Sequence, residues 1–150
     1  MKLVVQRVSK AAVHIDHNTY AEIGSGLCIL LGIEEDDGDA DADWLAVKVA
    51  GLRIFADQHG LMNLSIQDIQ GELLVISQFT LFASTKKGNR PSFIRSAKPE
   101  KAIPLYEYFI AILERNAKLP VKTGIFGADM QIELINDGPV TIIIDSKNKV

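Results

Sequence analysis

Apolar residues run or alternate from Leu3 to Val8 and from Ala11 to Ile15, the period-two signature of strands. Asp16-His17-Asn18 is a turn cluster, and Thr19 to Ile23 is predicted to return as the partner strand. Gly24-Ser25-Gly26 breaks the pattern before Leu27 to Ile33, a fully apolar strand. The period then changes. Leu45, Val49 and Leu52, with Ala42 and Ala46 on the same side, recur at helical spacing. Asp39, Asp41 and Asp43 fall at or before the first turn of that helix, where negative charge complements its dipole, and Gly51 marks its end. Arg53 to Ala56 and Leu61 to Leu64 flank the turn Asp57-Gln58-His59-Gly60 and read as a hairpin. A second helix carries Leu105, Tyr108, Phe109 and Ile112 on one face, with Pro99 and Pro104 near its start. Val121 to Thr123, Met130 to Ile135 and Val140 to Ile144 read as strands, the last two joined by Asn136-Asp137-Gly138-Pro139. Lys147 to Val150 is expected to fray. About eight to ten strands and two helices predict an α+β fold. Its sheets are expected to be mainly antiparallel, layered or barrel-like, with the two helices packed on one side of a single domain spanning residues 1–150.

One stretch departs from simple patterning. Leu73 to Ile76 is an unbroken apolar run, suited to a strand covered on both faces. It ends abruptly in Ser77-Gln78-Phe79-Thr80. Alternation puts Gln78 and Thr80 on one face and Ser77 and Phe79 on the other. Polar groups at the end of a buried strand must be satisfied by neighbouring backbone or used chemically. The segment from Ser84 to Ser96 lacks periodicity and holds Gly88 and Pro91, so it reads as a long exposed loop. Structureless loops beyond roughly 12 residues are more often functional than idle.

Composition narrows the class. The chain has 150 residues, 47% of them hydrophobic and 23% charged, enough for one domain with a real core. No apolar run reaches the roughly 20 residues of a membrane span. The early Lys2 and Arg7 do not suit a signal peptide. The single cysteine, Cys28, cannot form an internal disulfide and reads as a core thiol. These features favour the cytoplasm. The net charge of −3 conceals a local cluster: between Thr80 and Pro99 there is no acidic residue, but there are Lys86, Lys87, Arg90, Arg95 and Lys98.

Familiar catalytic and metal patterns are missing. Asp39-Ala40-Asp41-Ala42-Asp43 opens like a calcium loop, but Trp44 stands where glycine is needed and Ala50 where glutamate is needed. His14, His17 and His59 lack metal-ligand spacing, so neither metal nor cofactor is expected. There is no Gly-x-Ser-x-Gly elbow, no dinucleotide fingerprint and no phosphate loop. The segment Thr85 to Phe93 combines cations, a glycine, a hydroxyl and an aromatic. That set suits phosphate contact with stacking on an unpaired base, although a charged surface loop is the simpler reading of the stretch alone. Gly138 has no side chain, so its backbone can approach a ligand closely.

Together these stretches resemble the D-aminoacyl-tRNA deacylase family, whose Ser-Gln-Phe-Thr motif stands here as Ser77 to Thr80 and whose Asn-x-Gly-Pro-Val-Thr motif stands as Asn136 to Thr141. Further matches are Gln6-Arg7-Val8, Asp43-Trp44-Leu45, Leu52-Arg53-Ile54-Phe55, Arg90-Pro91-Ser92-Phe93 and Phe126-Gly127-Ala128-Asp129-Met130. The resemblance covers residues 1 to about 146. It implies hydrolysis of the ester joining a D-amino acid to the tRNA 3′-terminal adenosine, with L-aminoacyl-tRNA spared. It implies a homodimer, with a cis Gly138–Pro139 bond inserted from one subunit into the other's pocket as a chiral filter. Ser77, Gln78, Phe79 and Thr80 are the expected catalytic residues. Phe126 and Met130 are expected to line the pocket, and Lys86, Lys87, Arg90 and Arg95 to meet the acceptor stem. No DNA or membrane partner is implied.

Two chemical routes fit these residues. Thr80 has a nucleophile's hydroxyl, but the sequence names no base to activate it. The resemblance offers the adenosine 2′-OH as the group that orients or activates water, with backbone N–H groups near Phe79 and Thr80 meeting the oxyanion. A non-catalytic tRNA-binding module is the competing reading. It would use the basic loop and leave Ser77 to Thr80 as core.

Overall fold

The computed structural model describes residues 1–150. In chain order the elements are β1 (Lys2–Ile15), β2 (Asn18–Ile23), β3 (Gly26–Gly32), α1 (Asp39–Gly51), β4 (Phe55–Ala56), β5 (Met62–Leu64), β6 (Glu72–Ser77), a 3-10 turn (Phe79–Phe82), α2 (Pro99–Ala117), β7 (Val121–Thr123) and β8 (Gln131–Asp145). The architecture is α+β, as the patterning predicts. A six-stranded sheet curls towards closure, and a small β4–β5 hairpin stands apart from it.

β1 organises the sheet. The two N-terminal apolar runs are one 14-residue strand. Along one edge its first half pairs antiparallel with β3 and its second half with β2. Along the other edge it pairs antiparallel with β8 from Lys2↔Asp145 to His14↔Gln131. β6 lies parallel to β3, and β7 parallel to β6. Parallel neighbours require long crossovers. Here α1 lies between β3 and β6, and α2 between β6 and β7, which brings both helices to one side of the sheet, where they pack together. Across the gap between the sheet's ends, Lys122 Nζ on β7 donates to the Glu22 carbonyl on β2 at 2.7 Å.

Alternation along the buried strands divides the core. Leu73 and Val75 of β6 face the helices, in a cluster with Leu27, Ile29 and Leu31 of β3 and with Leu105, Phe109 and Leu113 of α2. Leu74 and Ile76 face the interior of the curl, with Val8, Val13, Ile23 and Cys28. The unbroken apolar run of β6 therefore reflects burial on both faces. In α2 the buried face includes Tyr106, which the helical reading missed, whereas Tyr108 is only half-buried and donates to Asp43 Oδ1 of α1 at 2.9 Å.

Two local readings change. Residues 131–135 and Val140 to Ile144 belong to one strand, with Met130 just before it, because both halves pair with the same partner in the same direction. Asn136 to Pro139 is thus an excursion within β8, opposite the register shifts around Arg7 of β1. At the other end of the chain, residues beyond Asp145 are outside regular structure, yet Ser146 is buried and Lys147 Nζ lies 3.4 Å from the buried Asp37 carboxylate. The same carboxylate receives the Met1 ammonium and, at 2.7 Å, the Glu34 N–H.

Candidate active site

The strand alternation of β6 stops at Ser77. Gln78 N–H makes a last 2.7 Å bond to the Leu31 carbonyl of β3, and the chain then winds into the Phe79–Phe82 turn. Gly32 permits this, because a Cβ there would stand 2.9 Å from Leu81 Cβ and 3.1 Å from the Gln78 carbonyl oxygen. The strand does not continue, yet Gln78 and Thr80, expected on one face, do meet: Gln78 Nε2 donates to Thr80 Oγ1 at 2.5 Å. Leu81 N–H closes on the Gln78 carbonyl, and Ala83 N–H on the Thr80 carbonyl. The Phe79 and Thr80 N–H groups open the turn and have no partner within it.

These residues border a cavity of about 200 Å³ lined by Ile76, Ser77, Gln78, Phe79, Phe126 and Met130 together with Leu31, Ile33, Ala97, Ala102, Gly127 and Ile132. No lining side chain is titratable. The structure brings Ser77, Gln78, Phe79, Phe126 and Met130 together here, while Thr80 sits just outside the lining. Phe126 is backed by Tyr106, whose ring meets it edge-on at 5.7 Å and whose hydroxyl donates to the Val75 carbonyl at 3.1 Å. Burial pushes the Tyr106 phenol up to about 12, so it remains a donor.

Gly138 and Pro139 do not line this cavity in their own chain. Their peptide bond is cis, and both residues are exposed. Asn136 ties the two ends of the excursion together: its Nδ2 donates to Thr141 Oγ1 at 2.9 Å, and its Oδ1 accepts from Val140 N–H at 3.2 Å. Arg7 reaches the excursion from β1. Its Nε donates to the Asp137 carbonyl at 3.1 Å and lies 3.3 Å from the Asp137 carboxylate, while Nη1 donates to the Ile54 carbonyl at 2.6 Å. Gly138 has φ +123°, and a Cβ there would lie 2.8 Å from Arg7 Nη2 and 2.9 Å from Val140 Cγ2. Arg7 is a functional candidate to which residue-by-residue reading assigned no role. Its signal was a guanidinium within a strand of apolar alternation, with no partner nearby in sequence.

The basic loop is exposed, as read. A bridge between Ser84 and Ser92 closes it, with N–H···O bonds of 2.8 and 2.9 Å. Lys86, Lys87 and Arg90 lie within the closed loop and make no ion pair. Arg95 differs. Its Nη2 is 2.7 Å from Glu34 Oε2, and its guanidinium lies 5.5 Å from the Phe82 ring centroid. The hydrogen bond and charge of Glu34 raise its pKa further. The loop returns to the cavity through Phe93, whose ring meets the exposed Phe79 ring edge-on at 5.1 Å, and through Ser96 and Ala97.

Residues 4–145 match the family model described as D-Tyr-tRNA(Tyr) deacylase. The D-aminoacyl-tRNA deacylase of Cytophaga hutchinsonii is 62% identical over 149 residues, covering 99% of both chains. That of Flavobacterium psychrophilum is 60% identical over the same span, again covering 99% of both. Among solved structures, one described as c-Myc DNA Unwinding Element Binding Protein has a TM-score of 0.90 at 40% identity, covering 97% of this chain and 98% of that one. A probable eukaryotic D-amino acid tRNA deacylase has a TM-score of 0.81 at 15% identity, with 95% and 97% covered, a likeness of fold alone. No helix is long and apolar enough to cross a membrane. With the family model spanning all but the chain ends and full-length relatives at this identity, the chain belongs to the D-Tyr-tRNA(Tyr) deacylase family.

Proposed function

We propose that this protein hydrolyses the ester of D-aminoacyl-tRNA, releasing the free D-amino acid and tRNA. The observation that carries this reading is a built cavity without any titratable lining, bordered by Phe79 at the start of a turn in which the Phe79 and Thr80 N–H groups have no partner. The ester is already activated. Water adds to its carbonyl carbon, negative charge gathers on the carbonyl oxygen, and the C–O bond to the adenosine breaks, with the ribose oxygen taking a proton. Backbone donors fixed in a turn suit the oxyanion because they need not reorient as charge develops. The Thr80 hydroxyl oxygen accepts from Gln78, and no base stands among the lining residues, which favours water oriented by the adenosine 2′-OH over attack by Thr80.

Chirality is assigned to Gly138 and Pro139 acting in trans. Their exposure and their absence from the lining of their own cavity support insertion into that of a second copy, making the functional unit a homodimer with paired sites. Backbone carbonyls facing the substrate amine and α-carbon would leave a D side chain free and collide with an L side chain. Such a filter ignores side-chain identity, so many D-amino acids are accepted, and glycyl-tRNA, with nothing to collide, is cleaved to some extent. Lys86, Lys87 and Arg90 are assigned to acceptor-stem phosphates, with Arg95 at the base of the loop.

The test is amino-acid release from paired D- and L-tyrosyl-tRNA, with Pro139→Ala alongside. The expected result is release from the D form only, with selectivity eroded in the variant. Release from neither would leave a tRNA-binding module as the better account; equal release from both would keep the hydrolase and remove the Gly-Pro filter. Duplex DNA, tested as a competitor, should not inhibit.

A further inference from the structure

Ser96 lies outside both sequence motifs, yet its Oγ donates to the Phe79 carbonyl at 2.9 Å. That carbonyl belongs to the same planar peptide unit as the Thr80 N–H. In a trans peptide the C=O and N–H point in opposite directions, so fixing one fixes the other. A hydrogen bond accepted by the carbonyl also polarises the amide and strengthens its N–H as a donor. Ser96 is itself held. Its N–H bonds to the Phe93 carbonyl at 3.0 Å, it bridges to Glu34, and the next residue, Ala97, donates to the Ile33 carbonyl at 2.9 Å. Phe93 in turn packs on the Phe79 ring. The returning arm of the basic loop therefore clamps the Phe79–Thr80 peptide from the side opposite its N–H.

We propose that Ser96 is a positioning residue for the deacylation, acting through the Phe79 carbonyl to aim and polarise the Thr80 N–H at the developing oxyanion. The inference rests on the backbone oxyanion reading given above. Ser96 touches no substrate in this role, so its contribution falls on turnover and not on tRNA binding. Removing an oxyanion donor outright costs about a hundredfold or more, and loosening one costs less, so Ser96→Ala is expected to lower kcat about tenfold with KM within about twofold. Ser96→Thr, which keeps the hydroxyl, should restore most of the rate.

The experiment measures kcat and KM on D-tyrosyl-tRNA and on 3′-D-tyrosyl-adenosine for the wild type, Ser96→Ala and Ser96→Thr, with the Thr80 amide proton shift followed by NMR. The expected result is an equal kcat loss on both substrates and an upfield shift of the Thr80 amide proton in Ser96→Ala, both reversed in Ser96→Thr. A wild-type kcat in Ser96→Ala, a loss confined to KM, or a loss seen only with full-length tRNA would overturn the proposal. Should Ser96→Ala fail to fold, Ser96→Cys, a weaker donor of similar size, takes its place: a lowered kcat with an upfield Thr80 amide supports the proposal, and an unchanged kcat overturns it. A wild type inert on both substrates would instead overturn the functional reading itself.

Discussion

At the scale of single residues, Arg7 carries more than its place in a strand suggests. Its guanidinium joins the Gly-Pro excursion to the Ile54 carbonyl, so one side chain spans β1, β8 and the segment after α1. Arg7→Ala leaves the Ile54 carbonyl without this donor and frees the excursion; it is expected to lower stability by about 2 kcal/mol in chemical denaturation and to erode discrimination between D- and L-tyrosyl-tRNA. Gly138→Ala should act on the same contact from the other side, because φ +123° disfavours an L side chain and its Cβ would press on Arg7. Cys28 gives an independent check on the core. It is fully buried and its thiol is pushed up to about 11, so alkylation at pH 8 should occur only through unfolding. Between its ordinary 9.0 and 11 the folded chain keeps a proton the unfolded chain has lost, so this group makes stability fall as pH rises through that window. Cys28→Ala should flatten that part of the curve.

At the scale of elements, the site is made where regular structure ends. β6 delivers four buried apolar residues and then turns, and Gly32 on the neighbouring strand allows the turn to sit close. The basic loop is tied at both ends, by the Ser84–Ser92 bridge and by the Ser96–Phe79 and Arg95–Glu34 contacts, leaving Lys86, Lys87 and Arg90 free to meet phosphates. Replacing those three with alanine should raise KM for D-tyrosyl-tRNA and leave kcat nearly unchanged. The slope of log kcat/KM against log salt should also flatten by about 2 to 3, roughly one per lost phosphate contact. An unchanged slope would remove the loop from the tRNA interface. Arg95→Ala should instead resemble loss of the Glu34 contact, with little change in salt dependence.

At the scale of the whole molecule, Gly138 and Pro139 do not line, within their own chain, the cavity they are proposed to filter. Mixing tests this. One variant would carry a blocked cavity, Met130→Trp, and the other a disrupted turn, Gly138→Ala. The Met130→Trp homodimer should be inactive and the Gly138→Ala homodimer should cleave without discriminating D- from L-tyrosyl-tRNA. After exchange of subunits, D-selective activity should reappear at about a quarter of the wild-type level, since half the dimers are mixed and each mixed dimer has one intact site. No recovery, with exchange verified by a mass tag, would place the turn and cavity of a working site in the same chain.

The sequence by itself determined the α+β class, nearly every strand and both helices, because these follow from period-two and helical spacing of apolar residues over short windows. It also marked the two motifs, since Ser77 to Thr80 breaks an apolar run and Asn136 to Thr141 breaks a strand pattern. Only the tertiary structure decided that β6 has parallel neighbours, that the Gln131 and Val140 segments are one strand, and that Tyr106 rather than Tyr108 backs the core. It also brought Arg7 to Asp137 and Ser96 to Phe79, pairs separated by 130 and 17 residues. Those pairings depend on where a guanidinium or hydroxyl finds an acceptor once the sheet has curled, and local spacing carries no record of a partner met only through folding.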